Sequence, residues 1–142
     1  MTQITYSVSH VTEVHQDFVY QAFWFWRCTS PDRDTLYDDF EKVEIRVGKI
    51  IKVEEFPKAR KPAYKLWIDF GDLGVKKSSS GITKLYNKEE LLGQLITAVT
   101  NFPPRQVADF MSEVLVLGVV LDNNEVVLIK PDRDVQLGQR IL

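Results

Sequence analysis

Hydrophobic positions in this chain fall into short runs with a period of two, broken by turn residues. Val43, Ile45 and Val47 alternate with polar neighbours, and Ile50, Ile51 and Val53 continue the run. This predicts one long strand over residues 43–53, with Gly48 as a bulge or bend. Leu66, Ile68 and Phe70 share one face of a second strand over 64–70, and 75–80 is a third. Residues 87–93 (NKEELLG) predict a short helix: Asn87 is the N-cap, Glu89 and Glu90 lie in the first turn, and Gly93 is the stop. Residues 95–99 and 115–121 are a fourth and a fifth strand. Asn123 and Asn124 turn the chain into 126–129. Periodicity by itself defines a small all-β barrel.

Residues 1–36 do not fit this pattern. Ile4, Tyr6 and Val8 alternate, then Phe18, Val19, Tyr20, Phe23, Trp24, Phe25 and Trp26 form an aromatic clump, and Ser30-Pro31-Asp32 makes a break. The expectation is an atypical N-terminal extension, 1–36, ahead of one domain, 37–142. Three accounts stay open: an upstream start codon that is not the one used, which is favoured, an extension packed on the domain or on a partner chain, and a disordered tail. The density of aromatics argues against the last.

Charge is balanced where the strands are. The chain carries 18 basic and 20 acidic side chains, a net charge of −2. Residues 1–36 hold two of the basic and four of the acidic ones, leaving 16 of each in 37–142. Bulk charge therefore does not announce a nucleic-acid binder. Clustering is more telling. Lys58, Arg60, Lys61, Lys65, Lys76 and Lys77 fall within twenty positions, opposed there only by Asp69 and Asp72. On one face they would neutralise phosphates; a solvated strand edge is the equal alternative. Ser78 and Ser79 follow, and with Ser80 and Gly81 they offer hydroxyls for phosphate or ribose, or merely end a strand.

The single cysteine, Cys28, excludes an intrachain disulfide and fits a reducing cytoplasm. Both histidines, His10 and His15, lie in the first quarter. Residues 37–142 thus lack the side chains for Ser–His–Asp or Cys–His catalysis and for thiolate or imidazole metal sites. No spacing supports an oxygen-only metal site, so the expectation is a non-enzymatic protein with no metal or cofactor. No apolar run approaches the ~20 residues of a membrane helix, and no signal-peptide pattern is present.

The densest segment is NFPPRQVADFMSEVLVLG, residues 101–118. Two consecutive prolines stiffen its start and can hold Arg105 and Gln106 beside the strand that follows. An arginine and an amide on a rigid rim suit a phosphate backbone or a base edge. Arg105 has a competing reading, an internal salt bridge to Glu113 or Asp109. Asn101 is a ligand or an Asx-type turn former. Phe102 and Phe110 stack on bases or, with Met111, line an apolar peptide pocket. Ser112 can reach a base or ribose. Asp109 works against tight RNA binding.

Together with DDFEKVEIRVGKI (38–50), FPKARKPAYKLWIDFG (56–71), KKSSSGITKLY (76–86) and PDRDVQLGQRIL (131–142), this segment resembles the tRNA-binding OB-fold domains, and within them the CsaA type. The family includes stand-alone bacterial tRNA-binding proteins and the C-terminal appendage of many methionyl-tRNA synthetases. The resemblance covers residues 37–142. It implies a five-stranded OB-fold barrel with a short helix between strands 3 and 4. It also implies a homodimer held by the flanking segments 38–44 and 135–142, and tRNA as partner. RNA contacts would fall to Lys58, Arg60, Lys61, Lys65, Lys76, Lys77, Ser78, Ser79, Asn101, Arg105, Gln106 and Ser112. The rival within the same resemblance is an export-related chaperone that binds unfolded preproteins through Phe102, Phe110 and Met111, with the export motor ATPase as a further partner.

Overall fold

The computed structural model of the protein describes residues 35–142. The expectations for the aromatic clump, for Cys28 and for His10 and His15 lie outside the described residues. A five-residue helix, α1 (Tyr37–Glu41), carries Asp38 and Asp39 in its first turn.

The barrel is built from β1 (Ile45–Glu55), β2 (Tyr64–Asp69), β3 (Val75–Ser80), β4 (Leu95–Val99) and β7 (Leu115–Val116), hydrogen-bonded in the order β3-β2-β1-β4-β7. All these pairs are antiparallel. The sheet nearly closes on itself. Lys77 O accepts from Glu113 N and Val114 N, and the buried Ser78 hydroxyl donates to Val114 O at 2.9 Å. These bonds occupy the outer edge of β3, which would otherwise invite pairing with another chain.

Alternation fills the interior. Ile50, Leu66, Ile68, Phe70, Ile82, Leu91, Ile96, Ala98, Val114 and Leu128 form one core cluster. Each large side chain buried there contributes about 1.5–3 kcal/mol. The short helix α2 (Lys88–Leu91) lies between β3 and β4, as the pattern predicts, and buries Leu91 in that core. Glu90 Oε2 accepts from Asn87 N at its start, and Gly93, at φ 83°, ends it by donating to Ile50 O.

Two expectations are corrected. Gly48 is not a bulge: it pairs in register with Ile96, and the register shift falls between Ile50 and Lys52. The glycine is there because the buried side chains of Ile68 and Phe70 lie over β1 at this point. A Cβ at Gly48 would stand 2.5 Å from Ile68 Cγ2 and 2.7 Å from the Phe70 ring. The fifth strand is not continuous either. After β7 the chain changes neighbours, and β8 (Gly118–Val120) leaves the barrel sheet to pair with β9 (Val126–Leu128). The turn between them holds Asn124 at φ 61°.

The C-terminal β10 (Arg140–Ile141) pairs with Ile45 and Arg46 at the start of β1. The loop between β4 and β7 carries a ribbon of its own, β5 (Arg105–Val107) and β6 (Phe110–Ser112).

Candidate nucleic-acid interface

Leu66 and Ile68 point inward from β2, so Lys65, Trp67 and Asp69 point out. Register sets their neighbours. Lys65 lies opposite Glu54 and Ser79, and Trp67 opposite Lys52 and Lys77. Same-face neighbours across strands interact directly. Lys52 Nζ stands 4.4 Å from the Trp67 ring centre, a cation–π arrangement. The outer face of β1, β2 and β3 is therefore an indole set among lysines, with Glu54 ion-paired to Lys52 at 2.6 Å and Asp69 at its margin.

Two loops meet over this face. From the β1–β2 loop (residues 56–63) comes Phe56. From the β5–β6 ribbon comes Phe110, only 7% exposed. Phe110 meets Phe56 and Trp67 edge to face, with ring centres 5.7 and 5.6 Å apart. Lys65 Nζ sits over both phenylalanines, at 4.6 and 5.2 Å, and Lys77 Nζ lies 5.8 Å from Phe110. The ribbon is fastened to β3: Ser79 N donates to Ser112 Oγ, and Lys77 N to Glu113 Oε2.

The same loops are joined by charge. Lys58 Nζ contacts Asp109 Oδ2 at 2.6 Å, and Lys65 Nζ lies 3.9 Å from Asp109 Oδ1. The hydrogen bond to Asp109, and then its charge, raise the Lys58 ammonium above its ordinary value. The hydrogen bond from Lys58 lowers the Asp109 carboxyl, aided by the charges of Lys58 and Lys65 and opposed by desolvation. Both groups stay ionised at neutral pH.

Arg105 lies opposite Ser112 in the ribbon and so shares its face with Ser112. It is exposed and makes no ion pair or side-chain hydrogen bond among the described residues. The two acids that could have taken it are engaged elsewhere, Asp109 by Lys58 and Glu113 by the Lys77 backbone.

The remaining candidates separate into committed and free groups. Ser78 is buried and bonded to Val114 O. Ser112 Oγ accepts from Ser79 N and donates to Val114 O. Asn101 clasps the chain ahead of β1, accepting from Glu44 N and donating to Lys42 O. Gln106 donates to Ala108 O within the ribbon. Lys76 takes the side of β3 that pairs with Ile68, away from Lys77. Arg60 and Lys61 are exposed on the β1–β2 loop, and Phe102 and Met111 present apolar surface on the β4–β7 loop. The structure thus brings together Lys58, Lys65, Lys77 and Phe110, and places Arg105 on the ribbon opposite Ser112.

Lys52, Phe56 and Trp67 were not among the sequence candidates. Trp67 had a legible signal: it alternates with Leu66 and Ile68 and so stands on the polar face of its strand. Phe56 and Lys52 had none, because what matters is the loop and the strand they face.

A small antiparallel barrel with rings and lysines on its β2–β3 face, overhung by the β1–β2 and β4–β7 loops, defines the OB-fold class of binding domains. The chain belongs to the tRNA-binding domain family: the family described as "Putative tRNA binding domain" matches residues 45–140. Its fold is similar to that of the chaperone CsaA from Bacillus anthracis, with a TM-score of 0.74 and 50% identity, covering 77% of this chain and 99% of that one. The CsaA chaperone protein from Picrophilus torridus gives 0.73 and 50%, covering 77% of this chain and 100% of that one. The methionine–tRNA ligase of Thermococcus kodakarensis is 37% identical over 105 residues, 74% of this chain. That match spans only 14% of the ligase's length. No described helix is long and apolar enough to cross a membrane.

Proposed function

We propose that this chain is a non-enzymatic, cytoplasmic binder of tRNA or similarly structured RNA, acting as a CsaA-type homodimer. The observation that carries the reading is Arg105, exposed and without an ion pair among the described residues, on the ribbon that packs Phe110 against a face of lysines and aromatic rings. Guanidinium groups take phosphate in a two-pronged grip, and the half-buried Trp67 is the ring of this face left partly open to an unstacked base, Phe56 and Phe110 being buried beneath the loops. Arg60, Lys61 and Lys77 extend the contact to the backbone of a folded RNA, with Lys76 at its margin. Dimerisation is supported by exposed Val119, Val120, Val127 and Ile129 on and beside the β8–β9 ribbon, and by Val135 and Leu142 in the tail. Two binding faces on one particle raise avidity for a large RNA.

The test is titration of fluorescently labelled tRNA at two salt concentrations, with duplex DNA and an unfolded polypeptide as competitors. Binding that is submicromolar and falls by orders of magnitude between about 50 and 200 mM salt is expected. Neither competitor should displace the tRNA.

A second reading has its own support. The two CsaA structures carry the name chaperone, and Phe102 and Met111 expose apolar surface. In that reading the β4–β7 loop takes unfolded preproteins, with the export motor ATPase as a further partner. Displacement of tRNA by the polypeptide, or polypeptide binding that holds as salt rises, would favour it.

A further inference from the structure

Asp109 is the one acidic side chain that reaches the lysines of this face from the β5–β6 ribbon, and the way it does so is specific. Its two carboxylate oxygens are divided between two ammonium groups, Oδ2 to Lys58 and Oδ1 to Lys65. A phosphodiester offers two non-bridging oxygens that can be divided in the same way. Lys65 is held for this role. Its side chain is only 21% exposed, and its ammonium rests over Phe56 and Phe110. Lys58, by contrast, is 70% exposed and reaches Asp109 from the β1–β2 loop.

The carrier of Asp109 is also distinctive. Ala108 and Asp109 alone connect β5 to β6, and Ala108 has φ 50°, a conformation that disfavours a residue with a Cβ. Phe110, next along, is anchored among Phe56 and Trp67. The ribbon is thereby fixed to the barrel while its tip holds a carboxylate over the lysines.

We infer that Lys58 and Lys65 form a seat for one RNA phosphate, and that Asp109 occupies this seat until the RNA displaces it. The inference rests on the RNA-binding reading and adds a residue that limits affinity. An exposed ion pair is weak enough to exchange. The exchange moves no covalent bond: Asp109 remains ionised and turns to solvent as the phosphate oxygens take its partners.

The experiment compares tRNA binding by the full chain, Asp109→Asn, Lys58→Ala and the double variant, each at several salt concentrations. Asp109→Asn is expected to tighten binding about 3- to 10-fold and to steepen the salt dependence by about one phosphate contact. In the Lys58→Ala background the same substitution should gain less than about twofold, because the seat is incomplete. A gain of equal size in both backgrounds would overturn the seat and leave only general repulsion. Where the parent chain binds tRNA, no gain, or a loss, would overturn it too, and would make Asp109 a structural tie between loops.

A second readout separates this from the RNA reading. Sodium pyrophosphate is titrated into Asp109→Asn and the parent chain, followed by NMR at the side chains of Lys58 and Lys65. Saturable shifts at both lysines, stronger in Asp109→Asn, support the seat even if no variant binds tRNA. That outcome would sink the RNA reading alone. Salt-dependent tRNA binding that Asp109→Asn leaves unchanged, with no pyrophosphate shifts, would sink the seat alone.

Discussion

Arg105 and Asp109 stand four positions apart on one ribbon, and the structure assigns them opposite situations. Among the described residues the arginine is unpaired; the aspartate joins two lysines. Arg105→Ala is expected to weaken tRNA binding by about 1–3 kcal/mol, the usual worth of a two-pronged contact to phosphate or a base edge. Since the guanidinium has no partner among the described residues, the midpoint of thermal unfolding should hardly move. A fall in that midpoint with unchanged RNA affinity would reveal a structural role. Arg105 was legible from NFPPR, a stiff turn that ends in a cation. Its freedom was not, because that depends on where Asp109 and Glu113 find partners. Asp109 and Lys58 are 51 positions apart, so no local window could pair them. Ser78 and Ser112 show the same gap between residue type and role: Ser78 read as a donor to phosphate or ribose and Ser112 as reaching a base or ribose, yet both donate to Val114 O.

At the scale of elements, alternation located β1 and β2, the strand segments at 75–80 and 95–99 matched β3 and β4, only the start of 115–121 stayed in the barrel sheet as β7, and the capped segment located α2. Gly48 shows where such reading stops. A glycine inside a strand signals either a bulge or a close approach, and only the partner strand decides between them. Here Ile68 and Phe70 fill the space above it. Gly48→Ala should therefore cost about 1–3 kcal/mol by overpacking. A urea melt would read this as a lower midpoint at unchanged slope. An unchanged midpoint would mean that β1 and β2 can separate without penalty. The split of residues 115–121 into β7 and β8 has a similar origin. Both halves have strand character, but Leu115 and Val116 find β4 while Gly118 to Val120 find β9.

For the whole molecule, the exposed valines on β8 and β9 depart, among the described residues, from a surface that a lone barrel would favour. Val120 is 67% exposed, and Val119 and Val127 lie opposite each other on the ribbon. Val120→Glu is expected to convert a dimer to monomers in sedimentation velocity and to leave the barrel's thermal midpoint near its starting value. Affinity for tRNA should then fall to that of a single face, with the loss of avidity. A parent chain that sediments as a monomer at micromolar concentration would dismiss the homodimer.

The sequence by itself determined the local facts: which segments alternate, where the helix is capped, that residues 37–142 lack histidine and cysteine, and which family the ordered motifs resemble. These depend on neighbours one to four positions away, or on the order of motifs along the chain. The tertiary structure alone decided which side chains are spent. It folded Phe110 onto Trp67, joined Lys58 to Asp109, and left Arg105 open to solvent. Those outcomes come from contacts between distant loops, where burial and charge pairing are settled by geometry that no stretch of sequence contains.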